Sequence, residues 1–386
     1  MMQIYFPGKL VFGNGSLSGL AGEVMGLRPA GELMRPSRVF VVTITPLLEA
    51  IQGLVSDLEA KGVSVFVHTG IVQEPTYADF QQLMLQAGPF DPDIVIGVGG
   101  GSVLDVAKMV AAQLDNEQTL DEYVGIGMLK GRAKKLICVP ATSGTGSEVS
   151  PNAILVDDRD NQKKGFISPF LVPDIVYVDP LLTVSVPPAI TAATGLDALT
   201  HCLEAYTNKH AKRFIDVYAY EGMRLIAAHL VKAVQDGGDV EAREKVAMGS
   251  LLGGFCLGPV NTAAVHALSY PLGSSFHLPH GLSNALLLPY VMEFNIPAAT
   301  ERYADVAVAL GCIRERDPMA TALKGVEKIR SLIRECGIPA TLKEVGIPLD
   351  AIPEMAMAAM KITRLLNNNP RSVGQDDAIA IYKAAY

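Results

Sequence analysis

Asp197 and His201 stand four apart in ATGLDALTHCLEAY, residues 193–206, and at that spacing two side chains share one face of a helix. Their neighbours Leu196, Ala198, Leu199, Cys202 and Leu203 mark the segment as an interior helix. A carboxylate buried there needs a compensating cation. Further along, His266 sits in an apolar run of small residues and His280 in LPHGLSNA. One carboxylate oxygen and three imidazole nitrogens suit a divalent transition ion such as Fe2+ or Zn2+; the scattered thiols remove soft-metal alternatives. A lone buried histidine is more often a satisfied core residue than a ligand. Three of the seven histidines with one aspartate, all in apolar surroundings, shift the balance towards metal.

A second constellation lies upstream. DIVIGVGGGSVLDVAKMVAA places Gly99, Gly100 and Gly101 at the end of an apolar run, with a helical pattern directly after. Without Cβ atoms, such a turn lets phosphate oxygens approach backbone N–H groups and the positive end of the helix. Ser102 is expected to cap that helix, with Asp105 completing a capping box. A tight strand-to-helix turn uses the same glycines, and the run is not the GxGxxG fingerprint. VPATSGTGSEVS follows the next apolar run and offers the hydroxyls of Thr142, Ser143, Thr145 and Ser147. Two such loops, each after a parallel strand, lie side by side at the carboxyl edge of a sheet and together favour a dinucleotide.

The elements that must position these residues follow from patterning. The first half alternates β-rich runs (RVFVVT, VSVFVH, DIVIGVGGG, KLICVPAT) with helical patterns at 46–60, 75–87 and 102–114. Strands apolar throughout predict a parallel sheet covered by helices on both faces. IYFPGKLVFGNGS before them reads as a hairpin, and NAILVDDRDNQKKGFIS with DIVYVDP adds a further β-rich portion. At SVPPAI the spacing changes to threes and fours and extended runs vanish. The expectation is an α/β domain over residues 1–186 followed by an all-α domain over 187–386, the length of 386 residues being ample for two.

Composition excludes several classes of partner. The net charge of -8 argues against a nucleic-acid or anionic-membrane surface, either of which needs clustered Lys and Arg. The most apolar stretches are broken before spanning length, and the first residues lack a basic region followed by an apolar run. Five scattered cysteines without CxxC suggest neither a disulfide framework nor a thiolate zinc site. A cytoplasmic protein acting on small molecules is expected.

These motifs together resemble the iron-containing (group III) alcohol dehydrogenases, relatives in fold of glycerol dehydrogenase and dehydroquinate synthase. GVGGGSVLDVAK is similar to the family's pyrophosphate loop, PATSGTGSEVS to its second cofactor loop, and TGLDALTHCLEAY to its first metal segment. VHALSYPLG and LPHGLSNALLLP are similar to the second metal segment, and the likeness runs from the opening residues to NNNPR. It implies a Rossmann-like parallel sheet joined to a helical domain, and a metal, usually iron, bound by Asp197, His201, His266 and His280. It also implies dinucleotide contacts from Thr142, Thr145 and Lys163, with Lys164 adjacent as the alternative. The implied reaction is hydride transfer between a nicotinamide cofactor and a small primary alcohol, diol or aldehyde. A lyase or cyclase of the dehydroquinate synthase type, or a glycerol dehydrogenase-like enzyme, stands as the alternative; the nearly uncharged surroundings of His266 and His280 disfavour the phosphorylated sugar the lyase would need. A homodimer through QIYFPGKLVFGN, or a larger homo-oligomer, is also implied.

Some positions depart from the family pattern. Ile44 stands where many relatives carry an Asp that bonds the ribose and repels a 2′-phosphate, which leaves NAD and NADP both open. Glu74 in QEPT replaces a common Asn. Tyr270, four residues after His266, replaces a second histidine, and His277 is an additional one. Tyr270 and His277 are therefore candidates for a proton relay, with plain packing as the alternative.

Overall fold

The computed structural model describes residues 3–27, 37–71 and 74–386; Met1, Met2 and Gln73 of QEPT lie outside the described residues. The chain divides into two compact units. One comprises Ile4–Thr142 with Ser147–Thr183, the other Val184–Tyr386 with Ser143–Gly146.

The first unit carries β1 (Lys9–Phe12), β2 (Arg38–Val42), β3 (Ser64–His68), β4 (Ile94–Gly99), β5 (Gly125–Ile126), β6 (Lys135–Pro140), β7 (Asn152–Asp157), β8 (Gln162–Ile167) and β9 (Ile175–Val178). Its helices are α1 (Leu20–Gly26), α2 (Leu48–Ala60), α3 (Tyr77–Phe90), α4 (Gly101–Gln113) and the short α5 (Leu120–Tyr123). Six strands form a sheet in the order β1-β9-β6-β4-β2-β3, every pair parallel. The continuous apolar runs are explained by burial on both faces. Val39 and Val41 of β2 pack with Leu20, Val24, Ile51 and Leu58 of α1 and α2. Phe40 and Val42 turn to the opposite face, against Phe80 and Leu83 of α3 and Leu104 and Ala107 of α4. Alternation is thus present, but both sides of it are apolar.

The opening segment is not a hairpin. Lys9–Phe12 pairs in parallel with Ile175–Val178 at the sheet edge. The Asp179 carboxylate accepts from Gly15 N at 2.9 Å and Leu17 N at 3.1 Å, which fixes the following turn. Glycines suggested a local reversal, whereas the true partner lies far along the chain. The second β-rich portion does form a hairpin: β7 and β8 pair antiparallel in a small separate sheet with β5.

Among the described residues from Val184 onward there is no strand. The helices are α6 (Pro188–Thr207), α7 (Arg213–Gln235), α8 (Val240–Leu257), α9 (Ala264–Phe276), α10 (His280–Asn295), α11 (Thr300–Ala309), α12 (Pro318–Glu335), α13 (Ile352–Ala359), α14 (Thr363–Leu366) and α15 (Gln375–Ala384). Pro188 opens α6 at the first helical position, where its missing N–H costs nothing. From Gly195 to Thr207 every residue of α6 is buried, as an all-round apolar helix requires. Near the chain end, NNNPR staples the unit together. Asn369 and Asn295 exchange amide hydrogen bonds at 2.7 and 2.9 Å, and Asn368 donates to the carbonyl of Thr262, two residues before α9. No helix among the described residues is long and apolar enough to cross a membrane.

Candidate metal centre

α6 presents Asp197, His201 and Glu204 on one face, all at least nine-tenths buried. His266 follows in the first turn of α9, and His280 is the first residue of α10. Gly281 lets α10 come close: a Cβ there would stand 2.2 Å from the Ala193 carbonyl oxygen and 3.3 Å from Asp197 Cβ. His280 is delivered to Asp197 by that approach.

Asp197 Oδ1 lies 3.7 Å from His201 Nε2, 3.5 Å from His266 Nε2 and 3.7 Å from His280 Nε2. Ligand atoms at metal-bonding distance from one tetrahedral ion stand roughly 3.4 Å apart. Ligand atoms of Asp197, His201 and His266 lie within 4.8 Å of one another, a group that could hold one divalent cation, and His280 Nε2 borders it through Asp197 Oδ1. The donor set fits the group.

The electrostatics differ from donor to donor. Burial works against the charge on Asp197, yet the surrounding imidazoles of His201, His280 and His266 hold its carboxyl well below the usual range. Burial drives the His201 imidazole down, which favours the neutral form a ligand requires. His266 moves oppositely: against the burial penalty, Glu204 and Asp197 raise it to about 9.

Two residues here were not singled out from the sequence. Glu204 Oε2 accepts from His266 Nδ1 at 2.6 Å. Asn284 Nδ2 lies 2.7 Å from Asp197 Oδ1, 3.1 Å from His266 Nε2 and 3.2 Å from His280 Nε2, while its buried Oδ1 has no donor. Both carried a signal, since Glu204 is three residues after His201 and Asn284 four after His280. Glu204 also corrects the reading of an uncharged neighbourhood around His266. Tyr270 comes to within 6.1 Å of His280, centroid to centroid. His277 is exposed and ends α9 in the left-handed conformation (φ 55°), its N–H bonded to the Gly273 carbonyl.

In the sheet-bearing unit, Gly99 of β4 pairs in register with Pro140 of β6, so the loops after these strands are neighbours. Gly99 ends β4, Gly100 links it to α4, and Gly101 and Ser102 open the helix; a Cβ on Gly100 would stand 3.3 Å from Thr142 Oγ1 in the second loop. The sheet order places β2 and β4 side by side with their onward connections leaving in opposite directions, the switch point where such sheets bind ligands. Ile44 follows β2 there in extended conformation. The capping expectation is corrected: Gly100, not Ser102, is the N-cap of α4, and no side chain caps it. Asp105 instead accepts from Ser147 Oγ at 2.5 Å and Ile154 N at 2.9 Å, its carboxylate taken by the second loop and by β7.

Ser143 and Thr145 belong to the segment that packs with the helical unit. Gly146 there has φ +62°, and a Cβ would meet Gly254 Cα at 2.3 Å, so only glycine fits. Lys163 pairs with Glu74, and Lys164 with Asp160 and Asp157.

Comparison with known proteins follows the same division. The family model for iron-containing alcohol dehydrogenase matches residues 7–180, and that for the C-terminal part of the Fe-containing alcohol dehydrogenase family matches residues 191–386. A long-chain-alcohol dehydrogenase 1 of Geobacillus thermodenitrificans (strain NG80-2) is 39% identical, covering 100% of this chain and 96% of its own. A 1,3-propanediol dehydrogenase of Klebsiella pneumoniae is 34% identical over 85% of each chain. A crystal structure of 1,3-propanediol oxidoreductase superposes with a TM-score of 0.94 at 31% identity, covering all of both chains. With both halves matched and relatives aligned along the whole length, this chain belongs to the iron-containing alcohol dehydrogenase family.

Proposed function

We propose that this protein transfers hydride between a nicotinamide dinucleotide and a small primary alcohol, diol or aldehyde, at a centre holding a divalent cation, Fe2+ first and Zn2+ second. One observation carries the reading: Asp197 Oδ1 stands within 3.7 Å of three imidazole Nε2 atoms in a buried setting. The names of the relatives, a long-chain-alcohol dehydrogenase and a 1,3-propanediol dehydrogenase, support the substrate class.

Asp197, His201, His266 and His280 would hold the cation, which when bound supplies Lewis-acid polarisation of an alcohol or carbonyl oxygen; the bound nicotinamide supplies the hydride chemistry. The chain's own residues do the rest. Asp197 remains an anion and offsets cationic charge. Burial of Asp197, His201 and His266 keeps water from the donors. Gly99, Gly100, Gly101 and Ser102 offer backbone N–H groups to the pyrophosphate at the start of α4. Thr142, Ser143, Thr145 and Lys163 complete the dinucleotide contacts. Tyr270, whose ring neighbours His280, is better supported than the exposed His277 as a group exchanging a proton with solvent.

Ile44 offers no carboxylate against a 2′-phosphate, which leaves NAD and NADP both as candidate cofactors. The free state of all five cysteines supports a reducing, cytoplasmic setting. A homodimer is supported by β1, an edge strand with Leu10 exposed. The test is elemental analysis of anaerobically purified protein with a screen of small alcohols and aldehydes against NAD(H) and NADP(H). About one Fe or Zn per chain with turnover is expected; a metal-free protein without turnover sinks the proposal.

A further inference from the structure

Glu204 lies one turn beyond His201 on α6 and is 3% exposed. Its carboxylate faces the start of α9. Oε2 accepts from His266 Nδ1 at 2.6 Å and Ala263 N at 3.0 Å, and Oε1 accepts from Val265 N at 2.6 Å. Among the described residues no Lys or Arg pairs with it. A helix cap alone needs one side-chain oxygen on an orphan N–H and no imidazole. Here the same oxygen that takes a backbone N–H also takes the ring nitrogen, at the shorter distance.

We propose that Glu204 is a positioning residue of the metal centre: it keeps the His266 ring hydrogen on Nδ1 and leaves Nε2, 3.5 Å from Asp197 Oδ1, as the lone pair facing the cation. The inference rests on the metal-centre reading above. Its physical basis is that a carboxylate can only accept, so the imidazole nitrogen against it must carry the hydrogen. The other nitrogen is then the donor, and the ring is held at two points rather than one. The contacts to Ala263 and Val265 fix the first turn of α9, so the carboxylate sets both the tautomer of His266 and the direction from which its ring enters. Such outer partners of metal-bound histidines are worth on the order of 10–100-fold in metal affinity.

Glu204→Gln is the sharpest variant. Gln offers one acceptor and one NH2 group where the carboxylate has two acceptors. With its oxygen against His266, the NH2 faces the Val265 N–H; with the amide turned over, the NH2 faces Nδ1 and moves the ring hydrogen to Nε2, blocking the donor. Either arrangement weakens the site.

The experiment uses full-length wild type and Glu204→Gln, stripped with chelator and reloaded with Co2+. Affinity is read by chelator competition, coordination by the visible Co2+ absorption bands, and folding by the thermal midpoints of the stripped proteins. The expected result is a roughly 10–100-fold loss of Co2+ affinity with altered bands. Unchanged affinity and bands, with only a lower midpoint, would make Glu204 a helix cap and overturn the proposal. Wild type that binds no Co2+ would overturn the metal centre itself, a distinguishable failure. Should the variant not fold, histidine nitrogen NMR on Zn2+-loaded wild type decides: hydrogen on Nδ1 of His266 is expected, and hydrogen on Nε2 refutes the assignment.

Discussion

The side-chain amide of Asn284 donates to Asp197 Oδ1 across 2.7 Å, from a position that also borders Nε2 of His266 and His280. An uncharged donor thus sits among the same lone pairs that a cation would engage. Asp197 is buried and anionic, and without a cation its compensation comes from this amide and the imidazoles. Replacing Asn284 by Ala is therefore expected to lower the thermal midpoint of chelator-stripped protein more than that of metal-loaded protein. Calorimetry of the four samples checks it, and equal losses would refute it.

Removing a ligand has a simpler outcome. Asp197→Ala and His201→Ala each leave three donors around the site, so metal content should drop below about one tenth of wild type and turnover should be lost. Circular dichroism should show the helices intact, because α6 is held by its apolar faces on both sides of the pair. Either variant retaining both metal and activity contradicts the assignment.

Gly100 is the N-cap of α4, and its hydrogen faces Thr142 Oγ1. A side chain there crowds the space that phosphate oxygens would enter. Gly100→Val is expected to weaken dinucleotide binding by at least roughly tenfold, about 1.4 kcal/mol, measured by NADH fluorescence titration. An unchanged titration would leave the loop a mere strand-to-helix turn.

Ile44 borders the switch point between β2 and β4. Introducing a carboxylate, Ile44→Asp, should repel a 2′-phosphate and lower kcat/KM for NADPH by at least about tenfold relative to NADH. Comparing the two cofactors at saturating aldehyde gives the ratio. No change would place the ribose elsewhere.

Glu148 is 3% exposed, and burial pushes its carboxyl up to about 7. With the folded value above the unfolded one, the folded state binds the extra proton. The contribution of this carboxyl to stability is then full below about pH 4.3 and is lost as pH rises towards 7. Glu148→Gln should flatten this dependence and gain on the order of 2–3 kcal/mol at pH 8 relative to pH 4.5. Urea unfolding at both values tests it; parallel shifts at the two would refute it.

The sequence by itself determined most element types and named Asp197, His201, His266 and His280 as the candidate donors. Period and apolar content gave β2, β4 and β6 as buried parallel strands, and Asp197 with His201 as one face of an interior helix. These are local properties, carried by residues a turn or a strand apart. Pairing over long separations was decided only by the fold. Lys9–Phe12 looked like half of a hairpin because its nearby glycines permit a turn, yet its partner is Ile175–Val178. Asp105 looked like a capping residue, but Ser147 and Ile154 compete for its carboxylate. Glu204 stands three residues after His201, but nothing local says which end of which helix its carboxylate meets. That α9 brings His266 Nδ1 there, and that Gly281 lets His280 close on Asp197, are consequences of how α6, α9 and α10 pack, and packing is a property of the whole helical unit.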